Sequence, residues 1–398
     1  MQGEARFRRV VRASRLPARA VAFHVVCPID RSHGALRTTE RESLIDARAE
    51  RAARTRALEL LEAGEVVALP TETVYGLAAR ADSRTAMENL SRAKGRSAEL
   101  GPTWHVPSSA ALETFPRVSP IARRLVQRYW PGPLTLVLPG VPPGLELAAR
   151  DGWTGIRAPA HPFTSSLLAS APFPVVLTGA QRPSEPPASE ADIVLARFDG
   201  KLALVVDGGP SRLAESSCVL RIGRGRFDLV REGLFTLEQL RAAAGLRIAF
   251  VCTGNTCRSP MAEAVARKAL SERLETTPGR LGDMGFELAS MGVFAHVGEP
   301  ASKGALAAMA EDGLELDAHR SRPAIPDEIA RYDRVYCMTR SHREALLALI
   351  PPQKGAHVEL LDPRGGDVPD PFGGGRVEYR AAADRIAAAV RARLEDWA

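Results

Sequence analysis

Residues 251–260 constrain this chain more than any others. They read Val251-Cys252-Thr253-Gly254-Asn255-Thr256-Cys257-Arg258-Ser259-Pro260. An apolar run, Ile248-Ala249-Phe250-Val251, leads into them and reads as a short buried strand; residues 261–270 follow with helical periodicity. Ser259 and Pro260 suit a first helical turn. A tight loop between a strand and a helix N-terminus turns backbone N–H groups inward and adds the positive end of the helix dipole. Such a loop holds an anion. Cys252 opens it, where the local field favours a thiolate. Arg258 closes it and can grip two oxygens of one phosphoryl group. Thr253, Gly254, Asn255, Thr256, Cys257 and Ser259 supply phosphate-binding amides and hydroxyls around it. A thiolate beneath a held phosphate is arranged for nucleophilic phosphoryl transfer to sulfur.

From residue 246 onward short apolar segments alternate with amphipathic ones. Strands are expected at 247–252, 286–289, 334–338 and 357–360. Helices are expected at 260–270, 303–312, 326–331, 341–349 and 376–397. In the last, Tyr379, Ile386, Val390, Leu394 and Trp397 recur at helical spacing and read as core. The alternation predicts a doubly wound parallel four-stranded sheet with flanking helices over 246–398. A ligand would then sit at the carboxyl end of the first strand, at Cys252. No His/Cys cluster has the spacing of a metal site.

The loop, together with Ser290-Met291-Gly292-Val293, Tyr336-Cys337-Met338-Thr339 and Asp370-Pro371-Phe372, resembles the low-molecular-weight protein phosphatase family. The resemblance implies a metal-free, cofactor-free reaction on a phosphorylated protein, in two steps through a cysteinyl-phosphate. It implies Cys252 as nucleophile and Arg258 as the phosphoryl clamp. Asn255 would shape the loop, and the Ser259 hydroxyl would face the thiolate. Of two Asp-Pro pairs it favours Asp370 as general acid, because an aromatic follows the proline there; Asp362 reads as a turn residue. Thr256, where tyrosine-directed members carry a bulkier aliphatic, and Phe372 resemble the protein-arginine phosphatase branch, which implies phosphoarginine over phosphotyrosine. Cys257 has two open readings, a reversible disulfide with Cys252 or packing under the loop. Arsenate reductases share the Cys-x5-Arg loop but would need further redox cysteines downstream, where only Cys337 stands.

The front half carries a second set of blocks. A helix is expected at 52–63, ended by Gly64. A buried strand then enters the polar turn of Leu69-Pro70-Thr71-Glu72-Thr73-Val74-Tyr75-Gly76. Lys94-Gly95-Arg96, Tyr129-Trp130-Pro131-Gly132-Pro133, Gly155-Ile156-Arg157-Ala158-Pro159, Val206-Asp207-Gly208-Gly209 and Ser216-Ser217-Cys218-Val219 follow. The series resembles the YrdC-like threonylcarbamoyl-AMP synthases and implies a twisted open α/β sheet domain over 52–245. It implies ATP (with Mg2+), threonine and bicarbonate as substrates, with tRNA as the eventual acceptor. Thr71, Thr73, Lys94, Arg96, Arg157 and Gln181 are the implied ATP and threonine ligands. The chain departs from the family at Ser97, where a proline is usual, and at Gly179-Ala180-Gln181, where the family has Ser-x-Asn. Two readings follow: a synthase, or a front domain that binds nucleotide or RNA without turnover.

Composition limits the setting. Of 398 residues 45% are hydrophobic, enough for large cores, and the net charge of +6 suits anionic partners. Residues 1–51 are arginine-rich and aperiodic, and read as a disordered basic extension that could touch tRNA or double-stranded RNA. No apolar run is long enough for a membrane span. Five cysteines, Cys27, Cys218, Cys252, Cys257 and Cys337, are too sparse for a disulfide framework and fit a reduced, cytoplasmic setting.

Overall fold

The strand Arg247–Cys252 is buried from its second residue onward. A strand without polar alternation needs cover on both faces, and its neighbours supply it. The computed structural model describes residues 38–95, 101–182, 185–350 and 357–398, and two sheets organise them. The expected basic extension lies outside the described residues up to residue 37, and Arg96 lies outside them as well.

The front sheet has ten strands. In chain order they are β1 (Glu40–Ser43), β2 (Val67–Leu69), β3 (Gly76–Arg80), β4 (Thr103–His105), β5 (Leu134–Pro139), β6 (Trp153–Arg157), β7 (Val175–Gly179), β8 (Leu204–Asp207), β9 (Cys218–Gly223) and β10 (Arg226–Arg231). Their order in space is β1-β8-β2-β3-β7-β4-β6-β5-β9-β10. β8 runs parallel to both β1 and β2, β4 to β6, and β5 to β9; the remaining pairs are antiparallel. The sheet is therefore mixed α/β.

One expectation is corrected here. The front domain does not start at residue 52, because β1 pairs with β8 from Glu40 to Ser43. The first helix is Ala47–Glu62, and the Asp46 carboxylate caps it by accepting from Arg48 N and Ala49 N, both at 2.8 Å. The polar sequence Glu-Arg-Glu-Ser hides β1. It is an edge strand, where charge discourages pairing with other chains.

The rear sheet comprises β11 (Arg247–Cys252), β12 (Glu287–Gly292), β13 (Arg334–Cys337) and β14 (Val358–Leu360). Its order is β12-β11-β13-β14 and every pair is parallel. Five helices of this half are Arg258–Arg273, Lys303–Glu311, Pro326–Ile329, Arg340–Leu349 and Arg376–Trp397. β12 extends past its expected end so that Gly292 pairs with Cys252. No side chain fits at Gly292: a Cβ there would strike the Thr253 carbonyl and come within 2.8 Å of the Asn255 amide nitrogen.

The two halves share apolar packing. One buried cluster runs from Leu125 and Leu240 of the front half through Phe250, Tyr336, Ile386 and Trp397 of the rear. Gly245 crosses so close to Gly285 that a Cβ would overlap the Gly285 carbonyl. Arg124, on helix Pro120–Tyr129, donates to the carbonyls of Ala244 (2.7 Å) and Trp397 (3.1 Å). Burial lowers its pKa to about 10.

Candidate active sites

The rear loop leaves the carboxyl end of β11, as expected for a parallel sheet. Its carbonyls face away from the mouth. Val293 N donates to Cys252 O, Phe294 N to Thr253 O and Ser302 N to Thr256 O, each at 2.9 Å. The His319 ring donates from Nε2 to Asn255 O at 2.7 Å. The amides of residues 253–257 donate to no protein group among the described residues. Carbonyls turned out and N–H groups left unengaged make the concavity that binds an anion.

Asn255 locks this shape. Its backbone takes φ 54°, its Oδ1 accepts from Arg322 N at 2.9 Å, and its Nδ2 donates to Ser259 Oγ at 2.9 Å. The first bond ties the loop to the backbone at Arg322, and the second goes to a hydroxyl. Ser259 Oγ stands 3.0 Å from Cys252 Sγ and 3.2 Å from the Met291 carbonyl. One hydroxyl proton can serve either partner, so Ser259 can turn it from Met291 to the sulfur when the thiol ionises. Cys252 is only 2% exposed and lies at the base of the loop.

Arg258 is buried, and its Nη2 pairs with Asp370 Oδ2 at 2.8 Å. Asp370 itself is half-exposed at the mouth, with Oδ1 accepting from Phe372 N at 3.2 Å. The competing Asp362 is buried elsewhere. It is paired with Arg385, accepts from Arg364 N at 2.9 Å and shapes a turn. Phe372 is 81% exposed beside the mouth. Thr256 is half-buried, with Oγ1 3.7 Å from Cys257 Sγ. Cys257 packs beneath the loop against Ser302 Oγ (3.2 Å) and Tyr379 OH (3.3 Å). Burial pushes the Cys337 thiol up to about 12, which makes it a poor redox partner and weakens the arsenate-reductase alternative. Sequence reasoning passed over His342, whose ring meets Thr253 Oγ1 at 2.8 Å.

The front sheet holds a cavity of about 750 Å³. Thr71, Thr73, Lys94, Arg157 and Gln181, all implied by the sequence, line it. Several of them are already committed. Thr71 Oγ1 bonds Thr73 Oγ1 (2.7 Å) and the Val74 carbonyl (2.6 Å). Arg157 is buried against Glu72 (2.6 Å), Thr73 Oγ1 (2.9 Å) and the Gly132 carbonyl (3.1 Å). Lys94 Nζ donates to Gly179 O at 2.5 Å, and burial, with Arg231 nearby, lowers its pKa to about 8.

Four further cations, Arg150, Arg221, Arg226 and Arg231, also line the cavity, against one carboxylate among the described residues, Asp151. Alternation along β9 carried a signal for one of them. Val219 and Arg221 face the cavity, while Leu220 and Ile222 belong to the core.

The Gly179-Ala180-Gln181 departure has a geometric account. The Gln181 side chain folds back over Gly179, so that a Cβ at 179 would collide with Gln181 Oε1. The longer amide occupies the room that the missing side chain leaves. Its Oε1 is buried without a hydrogen-bond partner among the described residues.

Comparison with known proteins fits both halves. Residues 247–397 match the family model described as "Low molecular weight phosphotyrosine protein phosphatase". A protein-arginine-phosphatase of Geobacillus stearothermophilus is 38% identical over 143 residues, 35% of this chain and 88% of that protein. The chain belongs to the low molecular weight phosphatase family. A solved structure, the YwlE arginine phosphatase from Geobacillus stearothermophilus, is 35% identical with TM-score 0.33, and covers 38% of this chain and 91% of its own.

Ahead of the phosphatase lobe, residues 59–233 match the Sua5_yciO_yrdC family model, described as "Telomere recombination", and form a Sua5/YrdC-like domain. A threonylcarbamoyl-AMP synthase of Bacillus subtilis is 36% identical over 192 residues, 48% of this chain. The chain spans 56% of that synthase's length and 54% of the one from Pyrococcus abyssi. Among the described residues, no helix is long and apolar enough to cross a membrane.

Proposed function

We propose that the protein is bifunctional, a protein phosphatase behind a threonylcarbamoyl-AMP synthase. The phosphatase half rests on one observation. The Cys252 thiol lies at the end of the central strand, 3.0 Å from Ser259 Oγ, in a loop of unengaged amides closed by the Arg258–Asp370 pair. Cys252 sulfur attacks phosphorus while the bond to the leaving atom breaks. The loop amides and Arg258 take the charge on the three equatorial oxygens. As Arg258 turns to those oxygens it leaves Asp370, which carries a proton to the leaving atom. Water then attacks the cysteinyl-phosphate, with Asp370 taking its proton, and Cys252 departs as thiolate.

Phosphoarginine is the preferred substrate in this reading and phosphotyrosine the second. Thr256 is small and polar where a guanidinium would pass, and Phe372 offers a flat apolar flank. The arginine phosphatase relative supports this choice. The test is kcat/KM on matched phosphoarginine and phosphotyrosine peptides, for wild type and Thr256→Ile. Wild-type preference for phosphotyrosine, or an unchanged ratio in the variant, defeats it.

In the front cavity, six cationic residues facing one carboxylate among the described residues suit ATP, with threonine and bicarbonate beside it. A magnesium ion arriving with ATP would take oxygens from the phosphates, with Asp151 the carboxylate at hand among the described lining residues. The product would pass to tRNA. A second reading has a specific observation behind it. The altered Gly179 and Gln181 fall inside this cavity, so the lobe would bind nucleotide or RNA without turnover. Pyrophosphate release that requires both threonine and bicarbonate separates the two. We assign both activities to the cytoplasm, since the nucleophile must stay reduced.

A further inference from the structure

A guanidinium has five N–H groups. Arg258 commits three of them to protein: Nη2 to Asp370 Oδ2 (2.8 Å) and to Thr253 Oγ1 (3.4 Å), and Nη1 to the Val368 carbonyl (3.4 Å). A hydroxyl that accepts from a guanidinium still has its own proton to give. For Thr253 the acceptor is Nε2 of His342, 2.8 Å away. That places the ring proton on Nδ1, which donates to Thr339 Oγ1 at 2.9 Å. Thr339 Oγ1 also accepts the backbone N–H of His342 (3.3 Å), and gives its own proton to Ser341 Oγ at 2.9 Å.

In this order every proton has one acceptor. With Nε2 protonated instead, Thr253 Oγ1 would receive two protons and have no acceptor for its own among the described residues. The ring is 5% exposed, and burial together with the Arg258 charge keeps it neutral down to about pH 4.

The structure assigns a role to this chain of bonds. We propose that His342 is a positioning residue of the phosphatase lobe. As the Nδ1–H tautomer it takes the Thr253 hydroxyl proton and so holds a Thr253 lone pair toward Arg258. Arg258 then has an anchor besides Asp370. When Asp370 is released, the guanidinium pivots on Thr253 and can bring two of its free N–H groups to the phosphoryl oxygens. The proposal rests on the phosphatase reading of the lobe.

The test has a structural arm and a kinetic arm, both on the full chain. Long-range proton–nitrogen NMR of wild type should show His342 with Nδ1 protonated and Nε2 bare at neutral pH. A protonated Nε2 overturns the proposal, and this result needs no variant and no substrate. Kinetics use p-nitrophenyl phosphate, with inorganic phosphate as competing inhibitor. Thr253→Val and His342→Leu should each lower kcat/KM about tenfold and weaken phosphate inhibition, and the double variant should be no worse than either single one. His342→Gln, whose amide oxygen can accept near the place of Nε2, should regain most of the loss. Additive losses, or a glutamine variant as poor as leucine, overturn the proposal. Failure of wild type to hydrolyse p-nitrophenyl phosphate would instead sink the phosphatase reading, while the tautomer still judges the bond order.

Discussion

The two lobes present anions with opposite kinds of site. In the rear loop the polar side chains are paired with one another, and what remains open is a ring of backbone amides. In the front cavity charged side chains dominate. Arginines and a lysine converge, with Arg157 and Thr71 already held by protein partners and the Gln181 amide oxygen with none among the described residues. On the proposed reading the rear site would hold one tetrahedral group. The front site is a broad positive field that, on the same reading, would tune affinity over a larger ligand. Changes at the rear should therefore remove chemistry, and changes at the front should shift binding.

The largest break comes from Cys252→Ser, expected to lower phosphatase turnover by roughly four decades or more, since it removes the nucleophile. Its melting temperature should stay close to wild type; measurable turnover above a small residue would contradict the assignment. Asp370→Asn should cost about two to four decades. Asp362→Asn should leave turnover within about twofold while costing about 1–2 kcal/mol of stability, because Asp362 serves a turn and Arg385. Reversal of those two results would exchange their roles.

At the front, Gly179→Ser should weaken ATP or threonine binding about tenfold by calorimetry, because the new side chain meets Gln181. Adding Gln181→Asn should restore it; a harmless single variant would show that the Gln181 side chain moves freely. The smallest effect concerns pH. Lys94 has its pKa lowered to about 8, so its charge is lost as pH rises through that value. ATP affinity should fall a few-fold between about pH 7 and about pH 9, and Lys94→Arg, which stays charged, should flatten the fall.

Legibility in the sequence followed locality. β11 and the helix Arg376–Trp397 match the expected bounds residue for residue, because a buried strand and a periodic helix are each written within their own residues. The phosphatase loop was legible for the same reason. The run after Gly64 was legible in part: the expected strand entering the polar turn is β2, while β3, its antiparallel partner beyond the turn, was not foreseen. β1 was missed because its polar residues gain their partner, β8, from more than 160 positions away. His342 was legible only as a helix residue, since nothing local ties it to Thr253, 89 positions earlier. Most of the cavity arginines escaped notice likewise, being gathered by strand order and not by spacing.

The bond from Arg124 to the Trp397 carbonyl joins residues 273 positions apart, and the apolar cluster around it draws on both lobes. Cooperativity follows from that. Two modules on a linker would melt in separate steps, whereas here loss of the rear lobe strips the cover from Leu125 and Leu240 and takes from the buried Arg124 one of its two carbonyl acceptors, leaving Ala244 alone. Scanning calorimetry should then record one endotherm, and a phosphate analogue that binds only the rear loop should raise the temperature at which the front sheet melts. Each lobe would thus be stabilised by the other's ligand without either site changing shape.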